Sequence, residues 1–201
     1  IIFGYYVSFR EAQFKGLNTL PTVYHNRLGC GVYMCLYAIG DDMSWLVSTE
    51  EYDEHFSERL EKYAEEVGQV VKAEKTTNYL DKVKSLQRLF QRGYLRPADR
   101  EVRAVYSSIR ALKSLVYPER FHDPSSWSKD MEVIRAIMIL ENCIDHPLYE
   151  DFVKFVAAGD PYLVEFAKKK PGYQDHQYRK SKLIPGLNAT YNQEKRDSKP
   201  L

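Results

Sequence analysis

The 201-residue sequence predicts an α+β unit followed by an all-α unit. Three observations carry that expectation. Short runs of β-forming residues flank a glycine-led turn at Gly40-Asp41-Asp42. A second strand-turn-strand pattern occupies 85–94. Beyond Pro97 the apolar residues recur at helical spacing, and Pro and Gly cut them into successive helices.

In chain order, residues 1–16 carry Ile2, Tyr6 and Phe9, and Phe3, Val7 and Phe14, at helical spacing. Leu17 to Gly31 reads as a loop around Pro21. Tyr33, Leu36, Tyr37 and Ile39 then lead into Gly40, and Met43, Trp45, Leu46 and Val47 follow the aspartates. That is a hairpin whose primed turn needs the positive φ that glycine adopts freely. Ser48 caps the next helix, with Glu51 completing a capping box. Tyr52, Phe56, Leu60, Tyr63 and Val67 form its apolar stripe, and Gly68 ends it.

Gln69 to Ala73 reads as a strand ending at Glu74-Lys75-Thr76, and Ser85 to Tyr94 as the second hairpin. A helix opens at Pro97 or Ala98, with Val102, Val105, Tyr106, Ile109, Leu112 and Val116 inward, and Pro118 stops it. Asp123-Pro124 starts a helix reaching about Cys143. Pro147 starts another that ends at Gly159, and Asp160-Pro161 a further one to about Lys169. Past Pro171-Gly172 the chain is polar and basic, and irregular structure is expected.

Composition is that of an ordinary soluble protein, 44% hydrophobic and 28% charged. The longest apolar run, Ala136 to Leu140, is far too short to span a bilayer, so no membrane partner is expected. Cys30, Cys35 and Cys143 make no even framework, which suits a reducing compartment. His25, Cys30 and Cys35 lack the spacing and the fourth ligand of a zinc site.

Net charge is +1, but it is unevenly placed. Residues 50–66 hold eight acids against two bases, 68–120 twelve bases against five acids, and 168–201 nine against three. The basic stretches suit a phosphate backbone, or are simply solvated helix faces.

Asp41 and Asp42 sit at the hairpin tip with no Lys or Arg close in sequence. Adjacent carboxylates repel unless a cation holds them, and Mg²⁺ is the hard, oxygen-seeking cation that retains waters for a phosphate. That is the donor chemistry of two-metal phosphoryl transfer. A plain exposed turn is the competing reading of the triplet by itself.

The order of motifs resembles the second half of a viral RNA-dependent RNA polymerase, and specifically that of the partitiviruses, a family of double-stranded RNA viruses. Gly40-Asp41-Asp42 is similar to palm motif C, and the helix over 49–67 with the following Gly-x-Val-Val and Lys75 to motif D. Leu86-Gln87-Arg88-Leu89-Phe90 resembles motif E, the primer grip. Leu115-Val116-Tyr117-Pro118-Glu119-Arg120 resembles the stretch that opens the thumb. Met138 to Cys143 and Pro185 to Arg196 also resemble that family.

The resemblance implies a partial palm over 1–95, a helical thumb over 96–170 and a basic, largely irregular tail over 171–201. It implies template-directed nucleotidyl transfer from NTPs, with Mg²⁺, or Mn²⁺ in its place, held by Asp41 and more weakly by Asp42. Lys75 would give a proton to the pyrophosphate, with Lys72 the competing lysine. Arg88 and Arg92 would grip RNA phosphates. RNA template and product, NTPs, the polymerase's own fingers and viral capsid protein are the implied partners, in the virion interior or the host cytoplasm.

Motif A and the Ser-Gly of motif B are absent, since Asp41 is the first aspartate and no Ser-Gly pair occurs. The chain does not begin with Met, opens in mid-helix at Ile1-Ile2-Phe3 and stops at Lys199-Pro200-Leu201, so both ends read as cuts, and without those motifs the chain alone is expected to be inactive. A non-catalytic RNA-binding or relic segment is the alternative, which upstream coding sequence would distinguish. His122-Asp123 is the dipeptide of metal phosphohydrolases, but no further ligands of such a site accompany it.

Overall fold

A computed structural model describes residues 2–16, 37–46, 53–72, 77–118, 121–184 and 187. The chain divides into two compact units, Ile1–Ser85 and Leu86–Leu201.

In the first unit, α1 (Ile2–Phe14) packs on α2 (Phe56–Glu66). Val7, Phe56, Leu60 and Tyr63 are its buried centre, with Phe3, Tyr6, Trp45 and Val71 packed around them. The buried face of α1 is Gly4, Val7, Ser8, Glu11 and Ala12, one continuous helical face. Of the helically spaced apolar residues noted in the sequence, Val7 is buried and Phe3 and Tyr6 pack beside it, whereas Ile2, Phe9 and Phe14 are exposed. Small residues and a carboxylate win that position because Arg59 and Tyr63 of α2 bind Glu11 there.

Between the helices stand β1 (Tyr37–Ile39) and β2 (Asp42–Ser44), an antiparallel hairpin in which Tyr37 faces Ser44, Ala38 faces Met43 and Ile39 faces Asp42. Trp45, just past β2, meets Phe56 edge-on with ring centroids 6.3 Å apart, which ties the hairpin to the start of α2.

The capping box at Ser48 and Glu51 lies outside the described residues. Helix α2 begins only at Phe56, after an Asp53–His55 turn closed by Phe56 N–H to the Asp53 carbonyl at 3.1 Å. It ends at Gly68, whose φ of 71° allows a Schellman closure. Gly68 N–H bonds the Glu65 carbonyl at 3.1 Å and Gln69 N–H the Ala64 carbonyl at 2.8 Å. The strand expected over 69–73 is absent from the described residues 69–72. The unit closes with β3 (Lys82–Ser85), which lies next to β2.

Leu86 and Gln87, with φ of 49° and 64°, form a primed two-residue turn at the boundary. In the second unit β4 (Arg88–Gln91) pairs antiparallel with β5 (Val105–Tyr106). The long helix expected from Pro97 is a correction: 97–106 is turn and extended chain, and α3 spans only Ser108–Val116. Arg100 at φ 63° breaks the helix, and Asp145 captures the segment by accepting from Ala104 N–H at 2.9 Å. Valines and a tyrosine at helical spacing suit a strand as readily when partners are at hand.

Helix α4 (Lys129–Glu141) is the hub, packed by α3, α5 (Tyr149–Gly159), α6 (Pro161–Ala167) and α7 (Pro171–Ser181). Met131, Val133, Ile134, Ile137, Met138 and Leu140 form its buried stripe, joined by Leu163, Phe166 and Tyr178. α4 starts at Lys129 rather than at Pro124. Asp123 folds back to accept from Ser125 N–H and Oγ, both at 2.8 Å, and Ser128 is the cap, accepting from Met131 N–H at 3.4 Å. The stretch expected to be irregular past Pro171 contains α7, with Pro171 at its first turn.

One knot around the buried Asp130 joins three of these helices. Asp130 of α4 accepts from Tyr162 Oη of α6 at 2.7 Å and from Tyr173 Oη of α7, and Lys169 Nζ stands 3.5 Å from it. Burial alone would raise the Asp130 carboxyl. The two tyrosine hydrogen bonds and the Lys169 charge outweigh it and hold the group below its ordinary value. With a folded value below the unfolded one, this stability is present above about pH 4 and drains as pH falls through the folded value.

Asp130→Asn is expected to cost about 1.5–3 kcal/mol near pH 7. It should also flatten the fall of melting temperature between pH 5 and pH 3. An unchanged acid limb in a thermal melt series would show that Asp130 carries no such linkage.

Candidate functional site

The tip of the β1–β2 hairpin follows from its sequence. Pairing of Ile39 with Asp42 leaves Gly40-Asp41 as a two-residue turn, and Gly40 takes φ 60° while Asp41 is not left-handed. Glycine first and an ordinary residue second is the φ pattern of a II′ turn. A Cβ on Gly40 would meet no atom within 4 Å, so glycine is needed there for conformation rather than for space.

Asp41 is exposed, and Asp42 is half-buried as the first residue of β2. The pair offers oxygen donors at a fixed tip, which suits a hard cation. Among the described residues no group of three or more His, Cys, Asp or Glu converges as a metal site.

The other residues singled out from the sequence fall in different places. Lys75 lies outside the described residues, as do His25, Cys30, Cys35 and Arg120. Lys72 is exposed. Arg92 is exposed in the turn after β4. Arg88 is buried, 8% exposed, and turned inward. Its Nη1 donates to the Leu86 carbonyl at 3.1 Å and its Nη2 to Asn142 Oδ1 at 2.6 Å. Its guanidinium also lies 5.3 Å from the centre of the Tyr106 ring. His122 stacks on Trp127 at 4.2 Å, and Asp123 beside it serves the turn described above.

Sequence reasoning missed an ionic clamp in the first unit. Glu11 is fully buried, and its two oxygens accept from Arg59 Nε at 2.6 Å and Nη2 at 2.9 Å. Arg59 also holds Asp53 at 2.8 and 2.6 Å, and Tyr63 Oη donates to Glu11 at 2.9 Å. The hydrogen bonds to Glu11 and Asp53 raise the guanidinium's pKa further, and the Arg59 bond lowers that of Asp53. Burial and the Glu11 bond push the Tyr63 hydroxyl up to about 12.

The clamp fastens α1 to α2 and pins the turn just before α2. The available signal was a glutamate in register with Val7 and Gly4 on one helical face. A cleft of about 370 Å³ beside the clamp is lined by Arg10, Gln13, Phe14, Arg59, Lys62 and Tyr63. Arg10 and Arg59 are already paired, with Glu66 and with Glu11 and Asp53, which leaves Lys62 as the cleft's cation with no ion pair among the described residues.

The fold is one found in a viral RNA-dependent RNA polymerase. The crystal structure of that enzyme from a human picobirnavirus matches 91% of this chain with a TM-score of 0.60 at 23% identity. Its insertion-loop deletion mutant matches 88% with a TM-score of 0.62, also at 23% identity. The chain spans about a third of those polymerases, 32% and 30% of their lengths.

In sequence, 56 residues are 45% identical to a potential RNA-dependent RNA polymerase of human picobirnavirus (strain Human/Thailand/Hy005102/-), which is 28% of this chain and 10% of the relative. The chain is thereby homologous to a viral RNA-dependent RNA polymerase, an enzyme of the nucleotidyltransferase class. No family model matches it. No helix among the described residues is long and apolar enough to cross a membrane.

Proposed function

We propose that this chain is the C-terminal palm-and-thumb portion of a polymerase of a double-stranded RNA virus, with the partitivirus-like motifs quoted above. The observation that carries the proposal is the Gly40-Asp41-Asp42 turn at the tip of a hairpin, in a fold shared with such a polymerase. The palm portion extends to about residue 95 and the thumb follows. The reaction is template-directed nucleotidyl transfer of the two-metal class, on RNA and NTPs, inside the virion or the host cytoplasm. Viral capsid protein is a further proposed partner.

Mg²⁺ or Mn²⁺ bound at the tip supplies positive charge to the phosphoryl oxygens. Asp41 would hold it as a ligand and Asp42 would steady it, with further ligands supplied by the rest of the polymerase. Lys75 donates the proton that pyrophosphate takes on leaving, a role worth about 10²- to 10⁴-fold for a positioned acid. Single-nucleotide incorporation is therefore expected to fall in the order Lys75, Lys75→His, Lys75→Arg, Lys75→Leu, with RNA binding little changed. Equal rates for Lys75 and Leu, or a severe defect from Lys72→Leu instead, would assign the proton to another group.

The decisive measurement is RNA synthesis on a defined template by the polymerase containing this chain, dependent on Mg²⁺ or Mn²⁺ and stopped by a chelator. The 201-residue chain alone is expected to make none. Synthesis by the isolated chain, or metal-independent synthesis by the polymerase, would sink the reading.

Within the β4 segment, the exposed Arg92 is the better-placed phosphate contact, and Arg88 supports it from inside. Arg92→Gln should flatten the slope of log affinity for RNA against log salt by about one. Arg88→Gln should instead lower the melting temperature, because Asn142 loses its charged donor. The reverse pattern would restore Arg88 as the direct contact.

A further inference from the structure

We infer that the exposed face of α7, with the α6–α7 junction, is a second contact surface for the RNA phosphodiester backbone, separate from the β4 segment. The choice of RNA rests on the polymerase reading. The surface itself rests on charge and geometry.

Residues 168–182 hold six Lys or Arg against one acid, Asp175. Tyr178 and Ser181 bury one side of α7. His176, Arg179 and Lys180, three and four residues apart, share the opposite, exposed side. Lys168 and Lys170 are exposed at the junction. Among the described residues Lys168, Lys170, Arg179 and Lys180 make no ion pair, whereas Lys169 is taken up by Asp130.

The platform under them is rigid. Gln174 Nε2 donates to the carbonyls of Phe166, Ala167 and Lys169 at 2.9–3.0 Å, closing the end of α6. Tyr162 of α6 and Tyr173 of α7 both donate to Asp130, which fastens the two helices to α4. Lys168 and Lys170 therefore stand just before the first turn of α7 and Arg179 and Lys180 in its last, about 15 Å apart at 1.5 Å per residue from 170 to 180. Two exposed cation pairs on one helix, with Asp175 the single acid among residues 168–182, suit a polyanion long enough to reach both. Contacts to phosphate oxygens carry no base information, so the contact is sequence-independent.

The test uses the full 201-residue chain and two unrelated labelled RNAs, each as single strand and as duplex, in anisotropy titrations from low to moderate salt. Lys168→Gln, Lys170→Gln, Arg179→Gln and Lys180→Gln combined should flatten the salt slope by about three to four on duplex, and by somewhat less on single strands. Arg179→Gln with Lys180→Gln alone should give about half that change. Melting temperature is expected to hold in both, because all four side chains are exposed.

A larger change on duplex assigns the surface to product RNA, and a larger change on single strand to template. An unchanged slope in either folded variant overturns the inference. So does failure of the wild-type chain to bind RNA, or preference for anionic lipid vesicles over RNA. Loss of metal-dependent synthesis through Asp41, measured separately, stands or falls independently of these outcomes.

Discussion

Asp41→Asn in the polymerase that carries this chain is expected to abolish RNA synthesis while leaving the fold untouched. The substitution removes one anionic oxygen ligand and replaces it with a neutral amide of the same shape. Metal stabilisation of transition-state charge is worth several kcal/mol, and each 1.36 kcal/mol is tenfold in rate. A loss of about a hundredfold or more in turnover follows.

Structural cost should stay within about 0.5 kcal/mol, since Asp41 is exposed at a turn that tolerates Asn. Incorporation assays in Mg²⁺ beside circular dichroism melts separate the two effects. Near-normal turnover in a folded Asp41→Asn enzyme would remove the hairpin tip from the chemistry.

The second large effect is on stability. Glu11→Gln should cost the first unit about 3–5 kcal/mol, because Arg59, only 13% exposed, would be left with half its anionic partners. The clamp spans α1, α2 and the turn before α2, so its loss loosens the packing beneath Trp45 as well. Trp45 lies in the first unit and Trp127 in the second, so denaturation followed by fluorescence in a Trp127→Phe background reads the first unit alone.

Replacing both partners, Glu11→Leu with Arg59→Met, should cost clearly less than Glu11→Leu plus Arg59→Met taken singly, since neither member of the buried pair is then left facing the other's gap and Asp53, 41% exposed, can turn to water. A Glu11→Gln cost below about 1 kcal/mol would mean that water reaches Arg59 and the clamp is ornamental. The pH dependence has a definite sign. Asp53 is held below its ordinary value by Arg59, so its share is present at neutral pH and drains in acid.

Much of the hairpin site was legible from residues alone. The Gly40-Asp41-Asp42 tip needed only a β-forming run on each side and a glycine where φ turns positive. The Pro161 start of α6 behind Asp160 was legible for the same kind of reason, as Asp160 accepts from Tyr162 N–H at 3.1 Å one residue past the proline. Gly68 likewise ended α2 through bonds that reach back no more than five residues.

Other features could not be read that way. Val102, Val105 and Tyr106 fit a helical stripe and a strand equally well, and Asp145, 41 residues on, decided for extended chain. α7 looked like a polar tail because its apolar contribution to the core is little more than Tyr178, which gains value only against α4.

The chain by itself thus determined what short-range physics controls: turn type at Gly40, the glycine and proline punctuation of helices, and the placing of two adjacent carboxylates at the hairpin tip. Tertiary structure decided which charges are available for function. Arg88 and Glu11 look like surface residues in sequence, yet Arg88 meets Asn142 54 residues away and Glu11 meets Arg59 48 residues away. A charged side chain is buried only where a distant partner repays its desolvation, and no local pattern announces that partner. Lys168, Lys170, Arg179 and Lys180 remain open to a ligand for the converse reason, since among the described residues no carboxylate pairs with them.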